Sequence, residues 1–151
     1  MPSKYEGTPA EIEALSAFIN LIRASDSVSG ALHGDIVASE LTPSQFGVME
    51  ALLHGGPLFQ GELAQKLLRC TGSITSVVAG LEGKGMVERR RESHDKRFVR
   101  VSLTPKGKKA IDQVFPKHVR AVVRLFDSLT RDEKLQLRRL CAKLGKSVTM
   151  G

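Results

Sequence analysis

The 151-residue chain has few of the features that mark membrane, secreted or disulfide-rich proteins. No apolar run approaches the roughly 18 residues that a bilayer-spanning helix needs, and charges stand where a signal peptide has its apolar centre. Its two cysteines, Cys70 and Cys141, lie far apart and outside any C-x-x-C spacing. Neither a disulfide framework nor a zinc site is therefore indicated. We expect a soluble cytoplasmic protein with reduced thiols and no membrane contact.

Catalytic motifs are missing as well. The chain contains no G-x-S-x-G and no phosphate-loop pattern. Its histidines, which do not have metal-ligand spacing, are His33, His54, His94 and His118. We therefore expect no enzyme activity, no metal and no cofactor.

The net charge of +7 is unevenly distributed. Residues 1–50 contain two Lys and Arg against seven Asp and Glu, a net charge of −5, which leaves +12 for residues 51–151. A basic half of this kind attracts polyanions, of which nucleic acid is the commonest soluble one. On the evidence of charge alone, a solvated basic surface that binds no polyanion is an equally good explanation.

Hydroxyl residues that cap helices divide the chain into helical segments. Five such starts occur, three of them followed by proline at the first helical position: Thr8-Pro9, Thr42-Pro43, Thr71-Gly72, Thr104-Pro105 and Thr130-Arg131. With the apolar periodicity that follows, they predict helices over about 8–37, 42–54, 60–68, 71–83, 105–129 and 130–144. Pro116 is expected to kink or split the fifth of these.

The helices over 60–68 and 71–83 are short and adjacent, which is typical of a helix-turn-helix. In the second helix, the inward stripe consists of Ile74, Val77, Val78 and Leu81. The opposite face is thin and rich in hydroxyl groups, and its candidate DNA-reading residues are Ser73, Thr75 and Ser76. Such a face fits the major groove, where serine and threonine bond base edges or phosphates. An ordinary exposed face is the alternative.

Two strands follow, at Val87–Arg91 and Phe98–Leu103, and their connection forms a basic wing. Arg97 at the tip is long enough to enter a minor groove, and Asp95 can pair with its guanidinium and hold its orientation. A weak extended segment between Pro57 and Gln60 has the right place to pair with the wing. Phosphate attraction is expected of Arg89, Arg90, Arg91 and Arg100. The remaining candidate DNA contacts are Arg69 and Lys96.

The predicted fold is mainly α with a small β-wing, in one domain spanning residues 1–151. Residues 42–104 form the winged helix-turn-helix DNA-binding lobe, and residues 8–37 and 105–145 form flanking helices. Because those helices carry much apolar surface outside the lobe, we expect them to pair with a second copy. A homodimer would place the two copies of the DNA-reading helix over 71–83 about one turn apart on a pseudo-palindromic operator in double-stranded DNA. Packing on the chain's own lobe, in a monomer, is the alternative.

Several motifs together resemble the MarR family of bacterial transcription regulators. They are Leu41–Phe46, Glu62-Leu63-Ala64, Leu81–Arg89 and the run Asp95–Gly107, whose Asp-x-Arg tip followed by Val-x-Leu-Thr-x-x-Gly is specific. The resemblance covers about residues 8–145. It implies an obligate homodimer that usually represses, with Arg97 in the minor groove, Asp95 orienting it, and Ser73, Thr75 and Ser76 on the major-groove helix.

Members of the family commonly release DNA when a small aromatic or lipophilic anion binds near the junction of dimer and lobe. Four residues lie on segments that resemble the walls of that pocket: Arg23, His33, Phe46 and His54. Packing or surface roles are the alternative for each of them.

A thiol switch is a second possible mode of regulation. Another branch of the family senses oxidants through a cysteine in the first helix, and this chain has none between residues 8 and 37. Cys70 adjoins the major-groove helix, whose N-terminus can lower a thiol pKa; a small residue that fills the turn is the alternative. Cys141, on an apolar stripe, is predicted to lie in the core. A winged helix that binds protein and not DNA is the remaining functional alternative.

Overall fold

A computed structural model describes residues 4–67 and 71–149. Within them six helices and three strands follow in the order α1 Pro9–Ala38, α2 Pro43–Gly55, β1 Leu58–Phe59, α3 Gln60–Lys66, α4 Thr71–Gly83, β2 Val87–Arg91, β3 Val99–Leu103, α5 Pro105–Phe126 and α6 Arg131–Thr149. The predicted fold class, mainly α with a small β-wing, is confirmed. None of the helices in the described part of the chain combines the length and the apolar character that a bilayer span requires.

Side-chain caps begin four of the six described helices, as the sequence predicts. The side chain of Thr71, the fifth predicted cap, lies outside the part of the chain that the structure describes. In the cap of α2, the backbone N–H of Gln45 donates to Thr42 Oγ1, and the backbone N–H of Thr42 donates to Gln45 Oε1, each at 3.1 Å. These bonds satisfy N–H groups that a helix start leaves without partners. The same hydroxyl cap occurs at Thr8, Thr104 and Thr130.

Two helix boundaries differ from the prediction. Helix α5 runs without interruption through Pro116 to Phe126, so Pro116 does not split it, and the predicted kink stays a prediction. Proline removes one bond of the helix ladder, and the bonds on either side are sufficient to continue the helix. Helix α6 extends past Gly145 to Thr149, since one glycine lowers helix stability without ending the helix.

The three strands form an antiparallel sheet in the order β1-β3-β2. Leu58 of β1 lies opposite Val101 of β3, which confirms the pairing of the segment after Pro57 with the wing. In β3, Val101 is fully buried while Arg100 points outward, as the alternation predicts. The sheet thereby fixes which face of the wing is solvent-exposed.

The chain divides into two compact units, residues up to Gly34 and residues from Asp35 onward. The second unit contains the buried core, in which Met49, Leu63 and Ile74 are completely buried. In the first unit the apolar side chains of Phe18 and Ile22 are 58% and 44% exposed.

Helix α6 also exposes its apolar stripe. Leu140 and Leu144 are 55% and 51% exposed, and Cys141 between them is exposed too. The prediction that Cys141 lies in the core is therefore wrong for the chain by itself, because the stripe it belongs to is not covered by its own unit.

Candidate nucleic-acid interface

Helix α4 presents two contrasting faces. Ile74, Val78 and Leu81 are completely buried against the lobe. On the other side Thr75 and Ser76 are exposed, whereas Ser73 is half-buried. The structure thus brings the three predicted reading residues onto one helix, with the last two more accessible than the first. We call α4 the recognition helix.

A buried glutamine links the recognition helix to α3. Gln60, the first residue of α3, is 9% exposed, and its Oε1 accepts a long hydrogen bond of 3.4 Å from Thr75 Oγ1. The Nε2 of Gln60 has no hydrogen-bond partner among the described residues. Sequence reasoning missed Gln60, since a glutamine at a helix start carries no signal of burial.

At the tip of the wing, Asp95 holds Arg97. Arg97 Nη2 lies 2.7 Å from Asp95 Oδ2, and Arg97 Nε lies 3.0 Å from Oδ1. The backbone N–H of Arg97 donates to the same Oδ1 at 3.1 Å. The side-chain hydrogen bonds, and to a smaller extent the backbone one, lower the pKa of Asp95. The side-chain hydrogen bonds also raise the pKa of Arg97. The predicted pairing is present, and it leaves the Arg97 side chain 86% exposed.

The four arginines of the strands differ in how firmly the protein holds them. Arg89 makes a two-point contact with Glu82 at the end of the recognition helix, with Nη2–Oε1 at 3.0 Å and Nε–Oε2 at 3.3 Å. Arg91 Nη1 donates to the carbonyl oxygen of Lys96 at 2.8 Å. Arg90 is 80% exposed, with Glu88 at 4.0 Å. Arg90 is therefore the most available of these three for a phosphate.

Arg100 belongs to a cluster at the base of the wing. Its Nε donates to Glu92 Oε1 at 3.1 Å, and its guanidinium carbon lies 4.7 Å from the centre of the Phe59 ring. The Phe59 ring in turn meets Phe98 edge-on at 5.6 Å. Arg100, for which the sequence predicts a phosphate contact, thus links β3 to Phe59 of β1. Lys96 is exposed beside the tip.

Two predicted residues of the turn between α3 and the recognition helix, Arg69 and Cys70, lie outside the described residues, as does Leu68 of the predicted third helix. Their proposed roles stay predictions.

The predicted ligand-contacting residues fall into both units. Arg23 and His33 are exposed on α1 in the first unit. In the second unit, Phe46 is buried with its ring 4.6 Å from that of His118, and His54 meets Phe115 edge-on at 4.9 Å. Phe115 and His118, both on α5, complete an aromatic cluster that sequence reasoning missed, because it pairs residues about sixty to seventy positions apart.

A cleft of about 270 Å³ lies in the second unit, between the end of α1 and α5. Its walls are Asp35, Ala38, Ser39, Leu41, Ala110, Gln113, Val114 and Lys117. This volume is near the lower bound of small-molecule sites, and Lys117 supplies a cation at its wall. Among the described residues, no group of three or more His, Cys, Asp or Glu side chains is arranged to hold a metal.

Comparison with known proteins agrees with this geometry. Residues 39–97, from the residue after α1 to Arg97 of the wing, match the sequence model of the MarR family. The chain is also 34% identical over 136 residues to the HTH-type transcriptional regulator YkoM of Bacillus subtilis (strain 168), with 89% of this chain and 88% of the relative covered. The chain belongs to the MarR family. It is a DNA-binding transcriptional regulator with a helix-turn-helix, and not an enzyme.

Two solved structures of the same fold are informative. A mutant of MarR from E. coli, in complex with operator DNA, is 27% identical and superposes with a TM-score of 0.73, covering 92% of this chain and 99% of the other. NadR in complex with 4-hydroxyphenylacetate is 25% identical with a TM-score of 0.75, covering 97% and 99%. The family resemblance predicted from the motifs is therefore confirmed, and the alternative of a winged helix that binds only protein is not supported.

Proposed function

We propose that this MarR-family chain is a homodimeric cytoplasmic repressor that binds a pseudo-palindromic operator and leaves it when a small aromatic anion binds. The observation that carries the proposal is the ion pair of Asp95 and Arg97. This ion pair holds a mostly exposed guanidinium at the tip of the wing. Strand β2 of the same wing is joined to the recognition helix by the ion pair of Arg89 with Glu82. A helix and an arginine fixed together suit two adjacent grooves of one duplex.

The DNA-binding residues divide by role. Thr75 and Ser76, with Ser73 behind them, read base edges in the major groove. Arg97 enters the minor groove, where a narrow A·T-rich stretch concentrates negative potential. Arg90 and Lys96, both exposed, bind phosphate. The remaining arginines of the strands, Arg89, Arg91 and Arg100, hold the wing in shape and add to its positive field.

The dimer forms through the flanking helices over residues 8–37 and 105–145, outside the DNA-binding lobe of residues 42–104. The support is the exposed apolar stripe of α6, where Leu140 and Leu144 are about half accessible. Contiguous exposed apolar surface of this kind is costly in water and is characteristic of an interface. Phe18 and Ile22 on α1 expose a further apolar face.

The effector occupies the cleft between the end of α1 and α5. Lys117 at its wall can pair with the carboxylate of an anion although Asp35 lines the same cleft, and Leu41, Ala110 and Val114 provide apolar contact. NadR, the relative solved with 4-hydroxyphenylacetate, supports this chemical class. Phe46 and His54 line the neighbouring aromatic cluster and respond to the effector through α5; for Arg23 and His33 contact with the effector stays a prediction.

Selection of bound duplexes from a random pool tests the proposal. A dimer that reads DNA with two recognition helices should enrich one pseudo-palindrome whose half-sites are centred about one helical turn apart. A promoter that carries the recovered site should be repressed by the chain and released by 4-hydroxyphenylacetate. Recovery of unrelated duplexes, or of a site without internal symmetry, would contradict the proposed dimeric readout.

A further inference from the structure

We propose that Lys84 is a positioning residue that ties the end of the recognition helix to the junction between α1 and α2, and so transmits occupancy of the cleft to the DNA-binding surface. The inference rests on the proposed function, since it concerns how the effector site and the recognition helix are coupled. Lys84 follows directly on the last residue of the recognition helix, Gly83.

The ammonium of Lys84 bridges two groups at the α1–α2 junction. Its Nζ donates to the carbonyl oxygen of Glu40 at 2.5 Å and to Gln45 Oε1 at 3.2 Å. Gln45 is the residue that completes the cap of α2 with Thr42. A lysine ammonium has three donors and no acceptor, so it can hold two oxygens at once. The recognition helix is thereby connected to an element more than forty residues earlier in the chain.

Glu40 has an unusual backbone. Its φ of 64° is the one positive value among the non-glycine residues that the structure describes. A non-glycine residue in this region is strained and persists only where its surroundings hold it. The bond from Lys84 to its carbonyl is such a restraint.

The backbone of Lys84 and of the next residue, Gly85, is hydrogen-bonded to the start of α5. Lys106 Nζ donates to the carbonyl oxygen of Lys84 at 2.9 Å, and Thr104 Oγ1 donates to that of Gly85 at 2.5 Å. Gly85 has a φ of 72°, which suits the tight turn after the helix. The backbone carbonyls of residues 84 and 85 are therefore bound by the start of α5. The side chain of Lys84 binds the α1–α2 junction.

The cleft between the end of α1 and α5 borders Glu40, the residue whose carbonyl oxygen Lys84 binds. Ser39 and Leu41, the two neighbours of Glu40, both line the cleft. A ligand that displaces either neighbour must move the Glu40 carbonyl, because the three residues are consecutive. Movement of that carbonyl lengthens its bond to Lys84 and releases or shifts the end of the recognition helix. The coupling requires only that the ligand prefer the displaced arrangement.

The experiment compares three variants in duplex binding. Lys84→Met keeps the alkyl chain and removes the ammonium, and Lys84→Arg restores a cationic donor. Lys108→Met is the matched control, since it removes the same charge from the same unit while its partner, Asp112, lies on its own helix. For each we measure affinity for the selected duplex across a salt series, with and without 4-hydroxyphenylacetate, and the melting temperature.

Lys84→Met should bind the duplex about tenfold more weakly, since it removes both hydrogen bonds of a charged but solvent-exposed donor. The slope of log affinity against log salt should equal that of the wild type. The ratio of affinities without and with 4-hydroxyphenylacetate should fall toward one. Lys84→Arg should recover most of both effects, and Lys108→Met should stay close to the wild type with an unchanged ratio.

Three results would overturn the inference. One is a wild-type affinity and ratio in Lys84→Met. A second is an affinity loss with an intact ratio and a salt slope lower by about 0.9, which identifies a phosphate contact instead. The third is an equal loss in Lys108→Met. Failure of the wild type to bind any duplex would reject the proposed function itself. A wild type that binds but does not respond to the probe would reject the effector and, with it, the transmission role.

Discussion

The carboxylate of Asp95 fixes Arg97 at three points: the guanidinium Nη2 at 2.7 Å, the guanidinium Nε at 3.0 Å and the backbone N–H at 3.1 Å. A single acidic side chain thus orients both the backbone and the side chain of the residue at the wing tip. Because Arg97 lowers the pKa of Asp95, the carboxylate stays ionised throughout the neutral range.

Asp95→Asn separates orientation from charge. The substitution makes the chain more positive by one charge, so simple attraction to DNA predicts tighter binding. Loss of the two-point ion pair predicts the opposite, because the freed guanidinium must be ordered on binding. We expect several-fold weaker binding to the selected duplex in fluorescence anisotropy. Equal or tighter binding by Asp95→Asn would show that Asp95 does not orient Arg97.

Arg90 and Arg89 form a matched pair on one strand. Arg90 is 80% exposed, so Arg90→Ala should weaken binding to all duplexes alike and lower the salt slope by about 0.9. Arg89 is held by Glu82, and Arg89→Ala should change the salt slope less than Arg90→Ala does. The measurement is the salt slope of each variant with selected and scrambled duplexes. The reverse order of the two slopes would contradict these roles.

The Glu82–Arg89 pair should make a small contribution to stability that depends on pH. The hydrogen bonds from Arg89 lower the pKa of Glu82 below its ordinary value of 4.5. A group whose folded pKa is depressed stabilises the fold above its unfolded pKa, and this contribution disappears as pH falls through the folded value. Since both side chains are about one-third exposed, the pair is worth about 1 kcal/mol or less.

The corresponding measurement is the difference in unfolding free energy between the wild type and Glu82→Gln. That difference should be constant near neutral pH and shrink below about pH 4.5. A difference that grows on acidification would contradict the sign.

Gly107 allows a close approach between α5 and the turn before β2. A Cβ at this position would lie 1.9 Å from the carbonyl oxygen of Met86, a backbone atom that cannot move aside cheaply. We expect Gly107→Ala to destabilise the protein by about 1–3 kcal/mol, as overpacking does. Gly61→Ala in α3 is the control, because open space surrounds it, and it should be neutral or stabilising by up to about 1 kcal/mol. Urea unfolding of both variants measures this, and equal stability of the two would contradict the packing.

Lys117 tests the chemistry of the proposed effector site. Lys117→Gln should weaken release of DNA by 4-hydroxyphenylacetate, which carries a carboxylate, more than release by the uncharged p-cresol. Lys109→Gln on the same helix does not line the cleft and should change neither. Affinity of the duplex complex in the absence of effector should be similar in both variants. An equal response of Lys117→Gln and the wild type to the anion would place the site elsewhere.

Local signals predicted most of the fold. The caps of Thr8, Thr42, Thr104 and Thr130, the stripe of the recognition helix and the alternation of β3 all depend on residues within a few positions of one another. The Asp95–Arg97 contact was predictable for the same reason, since only one residue separates the partners.

Contacts between different elements were not predictable in the same way. Glu82 and Arg89 are only seven residues apart, but they lie on a helix and on a strand, and no local pattern indicates that Arg89 is held while Arg90 stays exposed. The approach of Lys84 to the Glu40 carbonyl depends on the backbone path of the α1–α2 junction. Cys141 lies on a stripe that suits a core, and sequence periodicity does not distinguish a stripe covered by its own chain from one left exposed.

The salt dependence of duplex binding by the wild type and by Arg97→Glu tests the central claim most directly. Log affinity of the wild type for the selected duplex should fall linearly with log salt, because phosphate contacts release counterions. Arg97→Glu should lose binding to that duplex at every salt concentration while it keeps the wild-type molecular mass in solution and melting temperature. Binding by the wild type that does not change with salt, or wild-type affinity in Arg97→Glu, would contradict the account.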